Sequence, residues 1–513
     1  MAAYERTRKN MRNSIVALLL QVVAMLVGFF ARKIFIDYLG TEVLGLNTTA
    51  TSILNCLNLA ELGVWSAIAV TLYKPLYDGD REKVREIVAL QGWLYRLIAT
   101  VIIVGSLIVM LFFPQIFSKS LLPAWYPYAT FGALLYSSLL GYFFNYKKNV
   151  LYADQKDYKA LLCSRSVNLV KLVCQALAVR FMENGYVWWL ILEVVFATIN
   201  TIFVAILVDR NYPYLREPVG PSKLLRAKYP EVIQKIKFLS VHKLSYFALN
   251  QISPIIIYAY TTLTSVALYG NYILLTTNLG NIINAIFAGT EAGVGNMVAE
   301  GDKKLILKVF REFFTTKMFI VSTCCICLWI LTEPFISVWL GGEYILGKTT
   351  LALIIAIFFI TNTRTIVDTY LNTYGMFSDI WAPIFEAGVN ILLSIILGSI
   401  YGINGILAGA LISQIAIGFI WKPIFLFKWG LKEPLSYYIK LYAKLLAIIA
   451  VSFAAVAFLS GRIGINPSES LLSFLIYAII VFLLTVCIFG GLLYASEYSF
   501  RGIFIRIRNS LNV

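Results

Sequence analysis

The chain has 513 residues, of which 59% are hydrophobic and 14% charged, and its mean hydropathy is +0.78. Soluble domains run at about 45–50% apolar and about 25% charged, so this composition excludes an ordinary soluble enzyme and indicates a polytopic membrane protein. The 43 Lys and Arg against 27 Asp and Glu give a formal charge of +16, but a nucleic-acid surface needs solvated area that so apolar a chain lacks, which leaves membrane topology or an internal site as the use of that charge.

A helix needs about 20 apolar residues to cross the hydrocarbon. Fourteen segments meet that requirement, near 14–39, 45–73, 86–113, 121–145, 158–182, 187–209, 238–261, 266–298, 307–332, 350–374, 379–400, 403–427, 436–459 and 470–496. The second, eighth and tenth carry Asn, Thr and Gly, so they are expected to face other helices or a water-filled cavity rather than lipid. The first follows a basic stretch but is too long, and has no small-residue cleavage site, for a removed signal, so it is expected to remain as a helix.

Basic residues collect on alternate loops. With the N-terminus cytoplasmic, inner segments hold Arg6 to Arg12, Lys74 to Arg85, Lys147, Lys148 and Lys156, Arg210 to Lys237, Lys303 and Lys304, Lys428 and Lys432, and Arg501 to Arg508. The outer loops offer Lys119, Lys348 and Arg462. That asymmetry predicts an even number of spans with both termini cytoplasmic. The inner loop near 375–378 carries no Lys or Arg and adds nothing.

The sequence repeats itself in order. LGLN (44–47), ELGV (61–64) and DGDREKV (78–84) are followed by LYGN (268–271), EAGV (291–294) and EGDKKLI (300–306). FPQIF (113–117) and NVLYADQKDY (149–158) pair with EPFIS (333–337) and NTYGMFSDIW (372–381). An even number of spans separates each pair, so the copies have the same orientation, which predicts two parallel repeats around a path near the midplane. The expected organisation is an N-lobe over 1–210 with helices 1–6, a cytoplasmic linker over 211–236, a C-lobe over 237–430 with helices 7–12, helices 13–14 over 431–498, and a basic cytoplasmic tail over 499–513. The linker sets Leu224, Leu225, Tyr229, Val232 and Ile233 among basic residues, as a helix on the membrane surface would.

Chemistry-bearing residues are few. One histidine, His242, disfavours histidine-based catalysis, and the seven cysteines lie in apolar runs with no zinc or disulfide spacing. Ionisable residues within spans are costly and mark candidate sites. Lys33 and Asp37, like Arg364 and Asp368, stand four apart and can neutralise each other, as functional groups or as pairs that permit insertion. Arg96, Arg165, Lys171, Lys243 and Lys317 have no partner at helical spacing. Arg165, Lys171 and Lys243 lie near the inner face, where snorkelling also accounts for them, whereas Arg96 and Lys317 are deeper and call for an anion. Glu61 and Glu291 hold matched places in the repeat, beside Gly63 and Gly293, which suits either ion coupling or a packing and bending element. Tyr (31) and Trp (10) are abundant; most are expected at interfaces, although rings in a wet cavity also stack on sugars.

The run RKNMRNSIVALLLQVVAMLVGFFARKIFIDYLGTEVLGLN, the ELGVWSAIAVTLYKPLYDGDREKV element and the NVLYADQKDY loop resemble the polysaccharide transporter family of the multidrug/oligosaccharidyl-lipid/polysaccharide (MOP) exporter superfamily, the Wzx-like flippases of O-antigen and capsule synthesis. The resemblance implies an all-α polytopic fold of twelve plus two helices in a V-shaped pair of lobes. It implies a transporter rather than an enzyme, working by alternating access in the bacterial inner membrane. Its substrate would be an oligosaccharide linked to undecaprenyl pyrophosphate, flipped to the outer leaflet for lipopolysaccharide, capsule or exopolysaccharide. A cationic cavity would hold the pyrophosphate, for which the candidates are Arg32, Arg96, Lys243, Lys317 and Arg364. Glu61, Glu291 and Asp368 are the candidates for gating or for coupling to H+ or Na+, with no cofactor and no metal centre. Expected partners are the lipid-linked substrate, the bilayer and the polymerase or assembly proteins of the pathway. The alternatives are a multidrug antiporter for organic cations within the same superfamily, which would favour an acidic aromatic cavity, and a polyprenyl-linked glycan polymerase or glycosyltransferase, which the short outer loops disfavour.

Overall fold

The computed structural model describes residues 2–61, 63–220, 222–234, 236, 252–287, 290–376, 378–379 and 381–502. Lys243 and His242 fall outside these residues, as does the side chain of Glu291. No strand occurs among the described residues, and nine of their helices are long and apolar enough to cross a membrane. The protein is an all-α, multi-pass membrane protein. It forms two compact units, Met1–Ala267 and Leu268–Val513.

In the first unit, helix α1 (Ala2–Leu57) joins the first two expected spans through a kink at Gly40, whose φ of 82° requires glycine. Lys33 and Asp37 pair at 3.7 Å, as their spacing predicts. The second span is not one continuous helix. After Leu57 the chain tightens into a single 3-10 turn, Asn58–Glu61, and then passes Gly63 at φ 85° before α2 (Val64–Asp78) begins. Gly63 therefore serves a left-handed backbone at a helix break. At Gly293 a Cβ would meet open space, so close packing is not what that glycine serves. Close approach occurs instead at Gly45, where a Cβ would lie 1.9 Å from the Leu263 carbonyl oxygen.

Helices α3 (Arg81–Leu111), α4 (Trp125–Phe143), α5 (Asp157–Phe181) and α6 (Gly185–Asn211) complete the set that matters for the site. The linker contains a short helix, α7 (Ser222–Lys228), packed on α3. Leu225, Tyr229 and Val232 are buried there, and Glu86 accepts hydrogen bonds from Lys228 at 2.7 Å and from Tyr229 at 2.5 Å. Helix α8 (Ser253–Tyr260) packs on α1.

Helix α9 (Leu263–Phe287) runs into the second unit, which continues with α10 (Thr290–Glu300), α11 (Lys303–Trp339), α12 (Lys348–Thr373), α13 (Trp381–Tyr401), α14 (Ile403–Leu431), α15 (Leu435–Ser460) and α16 (Leu471–Ser496). Its core is aromatic: Phe310, Phe314, Tyr370, Phe427, Tyr438 and Tyr442 are all buried in one cluster. Helix α14 widens into π turns at Ile415–Trp421 and Leu426–Leu431, a rare departure from α geometry.

The repeat is visible in the backbone. Gly79 (φ 72°) and Gly301 (φ 79°) each precede an Asp that caps the next helix. Asp80 accepts from the Lys83 amide at 3.0 Å; Asp302 accepts from the Lys304 and Leu305 amides at 2.9 and 3.2 Å. Both aspartates thus act as the N-caps that their sequence places predict.

Candidate functional site

In the first unit α2 to α6 surround a polar cavity of two adjoining chambers. One, about 360 Å³, lies beside the broken second span; the other, about 330 Å³, lies between α4, α5 and α6. Gly141, Asn145, Ser164 and Asn200 belong to the walls of both.

Glu61 stands at the end of the 3-10 turn and reaches the first chamber. Tyr95 donates to its Oε1 at 2.6 Å and Tyr142 to its Oε2 at 2.9 Å. The Tyr142 hydroxyl also lies 3.2 Å from Asn58 Oδ1, which accepts from Ser138 at 3.3 Å. Tyr95 and Tyr142 come from α3 and α4, so the carboxylate fastens the break in the second span to two neighbouring helices. A carboxylate between two hydroxyl donors satisfies the requirement that buried polar groups be hydrogen-bonded. Tyr146 stacks near Tyr95, their centroids 6.4 Å apart, in space that a Cβ on Gly92 would fill, 2.8 Å from the Tyr146 ring. Trp65 closes the same chamber, its backbone carbonyl bonded by Asn149 Nδ2 at 3.0 Å.

The second chamber holds an ion pair that helical spacing within one span does not reveal. Lys171 on α5 donates to both oxygens of Glu193 on α6, at 3.0 and 2.9 Å, and Gln175 adds a bond to Glu193 Oε2 at 3.2 Å. Lys171 is thus paired inside the unit and does not snorkel. The two helices form an antiparallel hairpin about Met182–Asn184, and residues at similar distances from such a turn face each other; that was the available signal.

The second unit uses its corresponding helices differently. Arg364 on α12 bonds Glu386 of α13 at 2.7 Å and Asp368 at 3.3 Å, and Lys422 of α14 reaches Asp368 at 2.5 Å. The expected Arg364–Asp368 pair is therefore half of a four-residue network with two charges of each sign. Gly418 leaves room for it: a Cβ there would lie 3.0 Å from Arg364 Nη1.

The other candidates go to separate places. Arg32 is part-buried and donates to the Ala267 carbonyl at 3.5 Å. Arg96 is exposed, turns back on its own helix to the Gly92 carbonyl at 3.1 Å, and stands outside the cavity wall. Lys317 is 1% exposed, with its ammonium 4.3 Å from the centroid of the Phe287 ring. Sequence reading did not find Tyr95, Tyr142, Asn58, Asn145 or Asn200, because each meets its neighbours only through the tertiary arrangement.

This arrangement of helices recurs in solved membrane transporters. The lipid II flippase MurJ, in an inward closed conformation, superposes with a TM-score of 0.62 over 93% of this chain and 98% of its own, at 16% identity. The fold is that of the MOP exporters. An inward-facing multidrug resistance MATE transporter of that superfamily matches with a TM-score of 0.63 at 13% identity, covering 82% of this chain and 99% of its own. A MOP transporter from Pyrococcus furiosus, described as having a binding pocket of reversed polarity, matches with a TM-score of 0.53 at 14% identity over 82% of this chain and 95% of its own. No family model and no curated protein sequence matches the chain.

Proposed function

We propose that the chain is a flippase that carries an oligosaccharide linked to undecaprenyl pyrophosphate from the cytoplasmic to the outer leaflet of a bacterial inner membrane, for O-antigen, capsule or exopolysaccharide assembly. The observation that carries this reading is the extent of the fold match. The MATE chain is matched over 99% of its length yet accounts for 82% of this one, whereas the lipid flippase accounts for 93%. A lipid-carrier flippase is therefore the better template for a twelve-plus-two helix plan. In this reading the protein is a transporter with cytoplasmic termini, and a polymerase and other assembly proteins receive its product.

Arg32, Arg96, Lys243 and Lys317 remain the proposed cations for the pyrophosphate, while Arg364 is read as structural because two carboxylates already neutralise it. Glu61, with its repeat counterpart Glu291, is the proposed gating or coupling carboxylate: neutralising it with H+ would weaken the bonds from Tyr95 and Tyr142 that secure the helix break. The test is reconstitution with a fluorescent lipid-linked oligosaccharide and a leaflet-selective quencher. Translocation that depends on the protein and falls in Arg32→Ala is expected. No translocation, with normal leaflet distribution of the lipid intermediate in a deletion strain, would refute the proposal. The MATE likeness favours one other reading, an organic-cation antiporter; uptake of a cationic dye that is lost in Glu61→Gln would establish it.

A further inference from the structure

We propose that the two-chambered cavity of the first unit is a sugar subsite, which takes an uncharged, hydroxyl-rich pyranose unit of the cargo. It rests on the flippase reading for the source of that sugar.

The wall asks for hydroxyl donors. Asn145 Oδ1 and Asn200 Oδ1 are buried acceptors without a hydrogen-bond partner among the described residues, and both amides border both chambers. Each Oδ1 is closed off as the side chains stand, and an unpaired buried acceptor is costly, so a small turn of either amide toward the chamber would let a ligand hydroxyl relieve that cost. Asn145 is held in place by its own Nδ2, which donates to Thr201 at 3.3 Å.

The charges disfavour the other ligand classes of such transporters. An organic cation needs a wall with net negative charge, but Lys171 and Gln175 take both oxygens of Glu193, and the Glu61 carboxylate shares the first chamber's wall with the Lys148 ammonium. A pyrophosphate needs several uncommitted cations, and Lys171 is committed to Glu193, leaving Lys148 in the wall. A neutral polyol satisfies what remains. Trp65 and Tyr146, half-buried in the wall of the first chamber, supply aromatic surface for the C–H side of a pyranose. The first chamber, about 360 Å³, holds on the order of ten waters' volume, enough for one ring with its hydroxyl groups.

The second copy supplies the contrast. Counted from the helix starts Trp125 and Lys348, Gly141 and Asn145 stand where Arg364 and Asp368 stand. The same helices that leave a cavity in one copy are joined by an ion network in the other, and a Cβ added at Gly141 would meet open space. The first copy thus has a cavity at helix positions where the second carries an ion network.

The experiment transplants that closure. In full-length protein in lipid nanodiscs, saturation-transfer NMR measures binding of the methyl glycosides of glucose, galactose, mannose and N-acetylglucosamine. At least one should bind in the millimolar range, and Gly141→Arg/Asn145→Asp should weaken it at least tenfold, as should Asn145→Ala if the double variant does not fold. Tetraphenylphosphonium and inorganic pyrophosphate should not compete. Absence of glycoside binding to the wild type, retention of binding in a folded closed variant, or displacement by the cation would overturn the proposal. The lipid-linked translocation assay separates the two claims. Wild-type translocation that persists in the closed variant sinks the subsite and leaves the flippase standing. Glycoside binding lost on closure, in a protein that translocates no lipid-linked sugar, sustains the subsite and sinks the flippase.

Discussion

Removing the guanidinium of Arg364 tests whether the network of the second unit is structural. Glu386 is 1% exposed and its carboxylate has Arg364 as its ion-pair partner at 2.7 Å, whereas Asp368 also has Lys422. Arg364→Met keeps most of the volume, so the loss is electrostatic: Asp368 stays paired and Glu386 becomes a buried carboxylate with no countercharge. Breaking such a pair from one side costs about 3–5 kcal/mol. For a unit of about 250 residues, 1 kcal/mol corresponds to about 2–4 °C in Tm, so a fall on the order of 10 °C is expected. Arg364→Met/Glu386→Leu removes both buried charges and should recover most of that loss, because an apolar replacement of a whole pair is close to neutral. The assay is thermal unfolding of the detergent-solubilised protein, followed by fluorescence size exclusion, with translocation measured in parallel. A single variant within about 1 kcal/mol of wild type, or a double variant as unstable as the single, refutes the structural assignment. A single variant with wild-type Tm and no translocation would return Arg364 to the substrate set.

Tyr95→Phe and Tyr142→Phe each remove one donor from Glu61, and each should cost about 1.5–3 kcal/mol in the same unfolding assay, as bonds to charged groups do; no change in either would mean that Glu61 does not fasten the helix break. Gly79→Ala and Gly301→Ala force alanine into left-handed backbone at φ 72° and 79° and should each destabilise by about 1 kcal/mol, in similar measure if the two turns are copies of one ancestral cap. Glu497, 0% exposed after the end of α16, gives a pH signature. Its burial alone would raise its pKa, but hydrogen bonds from Arg311, Lys444 and Ser499 outweigh that and hold the carboxyl at about 2, below its ordinary 4.5. A depressed pKa contributes stability above the unfolded value and loses it as pH falls, so the contribution, about 3 kcal/mol at neutral pH, should disappear between about pH 4.5 and pH 2. Glu497→Gln should flatten that part of the stability profile, and an unchanged acid profile would show that the network contributes nothing.

The sequence made the membrane class, the helix plan and the duplication legible, because each depends on local and repeated signals: apolar length, loop charge, and the Gly-Asp caps at 79–80 and 301–302. It also made the pairs Lys33–Asp37 and Arg364–Asp368 legible, since four-residue spacing is a property of one helix. It did not disclose the cavity. Tyr95, Tyr142 and Asn200 sit on three helices and meet only through packing, and single-sequence periodicity carries no register between helices. Gly63 shows a subtler ambiguity. A glycine in an apolar span suits both close packing and a left-handed backbone, and the φ of 85° shows that it bends the chain at this point, which no apolar pattern discloses.

The duplication explains why charge within spans is a poor guide to function on its own. A bundle of three packed helices leaves an internal space that must be filled by side chains, solvent or ligand, since a polar void is as costly as an unpaired group. In the second copy Arg364, Asp368, Glu386 and Lys422 neutralise one another, and the residues that look most like a site by charge are those whose charges are already satisfied. In the first copy Gly141, Asn145 and Asn200 carry no charge, yet they border the open space and include its unpaired acceptors. Function should therefore be sought in the copy that leaves the space open, not in the one that gathers charge there. On that basis closing the first cavity with the second copy's own pair is the more informative perturbation, and opening the second should mainly cost stability.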